Sequence, residues 1–132
     1  MNDDGRPQRL TVGVWLSIDG TLDNAVSNLM RGGTEPDAPE VVRAKGLRER
    51  GWAVNQEHPE RQLGVLGWPP REARFDIALS DDDIGYIVGL LTHELAVTSS
   101  ILTSAESPSV RQLQEEALVL TQEALDTLNA LR

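Results

Sequence analysis

His93 and Glu94 are neighbours, and a His-Glu pair on a helix can open the pattern His-Glu-x-x-His. There two imidazoles one turn apart hold a zinc ion and the glutamate serves as base. The second imidazole position here is Val97, and His58 is the only other histidine, so the pair of ligands is missing. The chain has no cysteine. That excludes a thiolate zinc site, an iron–sulfur cluster and a cysteine nucleophile. Asp81-Asp82-Asp83 lacks the alternating oxygen ligands and central glycine of a calcium loop, and helix capping accounts for it. Gly64-Val65-Leu66-Gly67 is neither a phosphate loop nor a dinucleotide fingerprint. No Gly-x-Ser-x-Gly elbow occurs. With no complete catalytic set, metal cluster or cofactor motif, the expectation leans away from an enzyme.

One short stretch carries a likeness. Asp19-Gly20-Thr21-Leu22 follows an apolar segment and resembles the first motif of the haloacid dehalogenase phosphatases, a strand ending in Asp-x-Asp-Gly-Thr. The resemblance implies a nucleophilic carboxylate two residues before Asp19, but that position holds Ser17. An alcohol there needs a base to activate it, and none is evident. The match spans four or five residues of 132. The segment therefore reads as a strand followed by an Asp-Gly turn.

These residues must be positioned by one domain, residues 1–132, since the length suits a single unit and no linker interrupts it. The chain is 39% hydrophobic with 4% aromatics, so its core is expected to be aliphatic. The net charge of −9 argues against nucleic acid or anionic lipid as a direct partner. The polar opening has no signal-peptide pattern, and no run of 18 apolar residues occurs, so a cytoplasmic protein is expected.

Residues 1–9 are polar and expected to be flexible. Leu10 to Ile18, rich in β-branched residues, predicts a strand, and Leu22 to Arg31 a short helix ended by Gly32-Gly33. Pro39 begins a second short helix to Arg50, with Gly51 as its stop. Trp52 to Val54 and Leu63 to Trp68 predict two short strands, and the alternation of Ala73, Phe75, Ile77 and Leu79 a fourth. Ser80, with Asp83 three residues on, forms a capping-box pattern opening a long helix to about Ser104. A last helix runs from about Ser109 to Leu131. The predicted fold is α+β: a small, mostly antiparallel four-stranded sheet, two short helices, and a C-terminal antiparallel helical hairpin over residues 80–132.

The hairpin carries the most information. On its first helix Ile84, Ile87, Val88, Leu91, Leu95 and Leu102 form one apolar seam. Tyr86, Leu90, Val97 and Ile101 form a second, bordered by His93 and rotated by roughly a third of a turn. Two seams need two covers. The sheet and the last helix are the intramolecular candidates; a homodimer or another partner is the alternative. Glu94 lies between the seams, where an arginine or an interface rim would accommodate it. On the last helix Val110, Leu113, Ala117, Leu118, Leu120, Ala124, Leu125, Leu128 and Leu131 share one arc, and Glu115, Glu116, Glu123 and Asp126 the opposite face. Residues 1–74 hold 10 basic and 11 acidic groups, net −1, whereas residues 75–132 hold 2 and 10, net −8. The basic cluster Arg43, Lys45, Arg48 and Arg50 is expected to pair within the chain or with a neighbour's hairpin.

Three readings of function follow from these features. The favoured one is a non-enzymatic protein–protein interaction module (adaptor, inhibitor or assembly subunit). It would act through the acidic hairpin, as a homodimer through Tyr86, Leu90, His93, Val97 and Ile101 or toward a basic protein. A second is a small-molecule-binding protein or cryptic enzyme, with a pocket between sheet and helices near Trp68, His93 and Glu94. A third is an acidic mimic of nucleic acid that occupies a DNA- or RNA-binding protein. No metal and no cofactor enters any of them.

Overall fold

A computed structural model of the chain describes residues 5–64, 66–104 and 107–131. Its elements, in order, are β1 (Arg6–Thr11), α1 (Val12–Arg31), α2 (Pro39–Gln56), β2 (Arg74–Leu79), α3 (Asp81–Ser104) and α4 (Pro108–Ala130). The predicted four-stranded sheet is not what forms. Among the described residues the molecule is mostly helical (69%), with four helices and one antiparallel pair of strands. β1 and β2 pair from Arg6 opposite Leu79 to Thr11 opposite Arg74, although the whole of α1 and α2 separates them in sequence. Residues 6–9, expected to be flexible, are thus part of the sheet; the same expectation for residues 1–4 lies outside the described residues.

The largest correction concerns Leu10 to Ile18. Only Leu10 and Thr11 are strand; Val12 begins a helix of 20 residues. Thr11 caps it, its hydroxyl accepting a hydrogen bond from the Val14 N–H at 3.2 Å. Val12, Trp15, Ile18, Leu22 and Val26 are then buried at helical spacing. The β-branched residues that favour a strand lose to this stripe, which reaches its period only when residues beyond the Asp-Gly pair are counted. Asp19 and Gly20 lie within the helix and not at a turn.

The two other missing strands have equally local causes. Trp52 to Val54 belong to α2, which passes through Gly51 instead of stopping there. Gly51 serves packing: a Cβ at that position would fall 2.1 Å from the Trp15 indole. Trp15 is fully buried and meets Phe75 edge-on at 6.2 Å between ring centroids, and its Nε1 has no hydrogen-bond partner among the described residues. In the expected strand Leu63 to Trp68, Leu63 and Gly64 form a bend and Leu66 and Gly67 a turn, with a left-handed φ of 57° at Leu66; Val65 lies outside the described residues. A Cβ on Gly64 would meet the Trp68 carbonyl oxygen at 2.1 Å, so the segment folds back on itself too tightly to pair with a neighbour.

β2 alternates between exposed and buried residues, with Phe75, Ile77 and Leu79 inward. Ser80 follows it and forms a reciprocal cap with Asp83. The Ser80 N–H donates to Asp83 Oδ2 at 3.1 Å, and the Asp83 N–H to Ser80 Oγ at 3.0 Å. α3 and α4 pack against each other, and the three-residue gap between them requires them to run antiparallel. The Glu106 part of the break expected between them lies outside the described residues. The core unites Trp15, Ile18 and Leu22 of α1 with Val41, Ala44 and Leu47 of α2, the inner face of β2, Ile84, Ile87 and Leu91 of α3, and Leu128 of α4.

Candidate functional site

Each helix of the hairpin places its residues by the same rule: a covered stripe and whatever the periodicity leaves beside it. On α3 the first seam is covered, with Ile84, Ile87 and Leu91 buried and Val88 and Leu95 packed against the core. Its cover comes chiefly from α4 and α1, with only light contact from β2.

The second seam changes character along its length. At its N-terminal end Tyr86 lies beneath the Arg43 guanidinium, 4.4 Å from the ring centroid. Burial raises the Tyr86 hydroxyl above the usual phenol range, although the Arg43 charge acts against it. Leu90 is half-buried and His93 is exposed. Val97 and Ile101 are 40% and 42% exposed. From Ser99 to Leu113, Leu102 is the one half-buried residue among those described. No other part of the described chain covers that end of the hairpin. α3 is apolar enough over 18 residues to cross a membrane by length and composition (mean hydropathy 1.3), yet only 22% of that window is buried.

Glu94 is half-buried, and among the described residues an amide, not an arginine, meets its carboxylate. Its Oε1 accepts a hydrogen bond from Asn24 Nδ2 at 3.2 Å, in a cleft of about 290 Å³ that Ser17, Asp23, Leu120 and Thr121 also line. Trp68 lies elsewhere, edge-on to Trp52 at 4.9 Å, in a groove of about 440 Å³ with Asp19, Lys45, Arg48 and Glu49. The pocket foreseen near Trp68, His93 and Glu94 is therefore divided between separate places. His58 is likewise engaged on its own loop, with Nε2 3.0 Å from the Arg74 carbonyl and Nδ1 accepting from the Glu60 N–H. Among the described residues no three His, Asp or Glu side chains converge as a metal site would require. Asp19, the core of the phosphatase-like motif, sits in a helix and is bound by Arg48, a geometry unlike a strand-end nucleophile pair.

The three arginines of the basic cluster pair within the chain. Arg48 reaches Asp19 at 3.0 Å and Asp23 at 2.9 Å. The bond to Asp19 is the main cause that raises its pKa further, against the effect of burial. Arg43 binds Asp82 at 2.7 Å, and Arg50 binds Asp83 at 3.1 Å and the Ala78 carbonyl at 2.8 Å. Burial pushes the Asp83 carboxyl up. The Ser80 N–H and hydroxyl and the Arg50 guanidinium together outweigh it and hold the group below the ordinary carboxylate range.

The carboxylates of α4 stand apart from this network. Glu115, Glu116, Glu123 and Asp126 are all exposed. Glu116 accepts a bond from Gln112 at 3.5 Å, and Asp126 one from Gln122 at 2.9 Å, both within the same helix. Between them stand apolar side chains that the sequence assigns to the core or passes over. Leu113 is 63% exposed, Val119 65% and Leu120 37%. Helical periodicity assigns Leu113 and Leu120 to the buried arc, but they lie on its margin, where cover depends on how closely α1 and α3 approach. Val119 falls among the glutamates, and its position in the pattern was the available signal.

In comparisons with known proteins, no family model, no curated protein and no solved structure matches this chain.

Proposed function

We propose that this chain is a non-enzymatic protein–protein interaction module, of the adaptor, inhibitor or assembly-subunit kind, that works through the α3–α4 hairpin and pairs with a second copy of itself. The observation that carries this reading is the uncovered stretch of the second α3 seam, Val97 and Ile101 together with half-buried Leu90. An apolar strip left open by its own domain gains by burial against another surface, at about 25 cal/mol per Å² removed from water.

A second copy suits the strip. Between Leu95 and Ser104 the helix has no charged residue, so two such faces meet about a two-fold axis without opposing like charges. Ser100 and Ser104, one turn apart beside Val97 and Ile101, are small enough to let the two helices approach closely.

The test is the mass in solution of the full chain and of the double variant Val97→Asp/Ile101→Asp, measured by sedimentation equilibrium. Both positions are exposed, so the variant keeps its helical circular dichroism. The wild type is expected to be a dimer and the variant a monomer. A monomeric wild type, or a folded variant with the dimer's mass, overturns the reading.

A further inference from the structure

We infer that the outer face of α4 is a second docking surface, built for a basic amphipathic helix of another protein. This rests on the interaction-module reading but uses a different face of the hairpin. Consecutive rows run along α4 with a seven-residue repeat: Leu113 and Leu120, then Glu116 and Glu123, then Val119 and Asp126. Apolar and acidic side chains thus alternate across one exposed helix surface.

Two open grooves flank Val119. One, of about 580 Å³, runs along Arg71, Gln112, Glu115, Glu116 and Leu120. The other, of about 550 Å³, runs along Leu118, Gln122, Glu123, Asp126 and Thr127.

Charge complementarity selects the occupant. A second copy docking by its own hairpin would bring an equally acidic face, since residues 75–132 carry 2 basic against 10 acidic groups, and the arginines of its α2 are already engaged by its own aspartates. Nucleic acid and anionic lipid are repelled for the same reason. A wholly apolar helix would strip water from carboxylates and offer them nothing in return. A helix with lysines or arginines on both sides of an apolar row meets both requirements. Its apolar row packs on Val119 and Leu120, and its cations reach Glu115, Glu116, Glu123 and Asp126.

The probe is a synthetic helical peptide with leucines at i, i+3, i+4 and i+7 spacing and lysine and arginine elsewhere. Its control is a peptide of the same composition whose scrambled order breaks the apolar row. Binding to the full chain is followed by fluorescence anisotropy at low and high salt. The ordered peptide is expected to bind at least about tenfold more tightly than the scrambled one, and more weakly as salt rises.

Val119→Ser, and separately the quadruple variant Glu115→Gln/Glu116→Gln/Glu123→Gln/Asp126→Asn, are each expected to weaken binding by about tenfold or more. The variant Val97→Asp/Ile101→Asp is expected to retain it. Equal binding of the scrambled peptide, or indifference to Val119→Ser, overturns the inference in favour of bare charge attraction. Loss of binding in Val97→Asp/Ile101→Asp moves the docking surface to α3 and also overturns it. No peptide binding by a dimeric wild type overturns this inference and leaves the proposed function intact. No binding by a monomeric wild type overturns both.

Discussion

The body of the molecule and the far end of its hairpin treat the same side-chain types in opposite ways. Around α2, aspartates are bound across elements by Arg43, Arg48 and Arg50, and the apolar residues beneath them are buried. On the hairpin, Val97, Ile101, Leu113 and Val119 face water, and the bonds to Glu116 and Asp126 come from glutamines one turn away. Internal ion pairs between elements fix how those elements sit. Side chains bonded only within their own helix fix nothing beyond it. The contrast teaches where the fold is over-determined and where it leaves surface available for a partner.

The contrast can be broken most directly at its tightest point. Gly51→Ala sets a methyl group against the Trp15 indole and is expected to destabilise the protein by about 1–3 kcal/mol or more, read as a lower urea midpoint. A Gly51→Ala protein as stable as wild type would show that the body is no better determined than the hairpin.

Next in size is Asp83→Asn, which removes a charged cap and its pairing with Arg50 and is expected to cost about 1–2 kcal/mol at neutral pH. The carboxyl has a lower pKa in the folded state than in the unfolded chain. Its contribution is therefore complete above the unfolded carboxyl range and is lost as pH falls through the folded value. The stability gap between wild type and variant should thus begin to narrow as pH falls below about 4 and close only below the folded value. Thermal melts across pH check this; a constant gap down to strong acid contradicts it.

The smallest effect sharpens the comparison from the other side. Neutralising Glu115, Glu116, Glu123 and Asp126 together is expected to change unfolding free energy by less than about 0.5 kcal/mol, because exposed charges of this kind contribute little to the fold. A large loss in the same urea titration would mean that these carboxylates hold the hairpin together.

Parts of this organisation were legible in the residues. Ser80 and Asp83 announce a helix start because their bonds join neighbours three positions apart, and no distant residue is needed. The inward face of β2 follows from strict alternation, and the outward placement of Glu115, Glu116, Glu123 and Asp126 on α4 from helical periodicity. The strand expected at Leu10 to Ile18 failed because Val12, Val14 and Ile18 satisfy strand preference and helical burial alike. Thr11 and the long apolar stripe to Val26 decide the matter. Gly51 was misread because a glycine that ends a helix and one that admits an indole look the same in a sequence.

The sequence by itself determined that no cysteine chemistry is open to this chain, and it set the periodic faces of the last two helices, because composition and local spacing are properties of the chain alone. Tertiary structure decided which seams are covered. It brought β1 to β2, Arg43 to Tyr86 and Arg48 to Asp19, and it left Val97, Ile101 and Val119 open to water. The reason is physical: periodicity sets the direction a side chain points along its own helix, and only the approach of distant elements determines whether anything lies there to meet it.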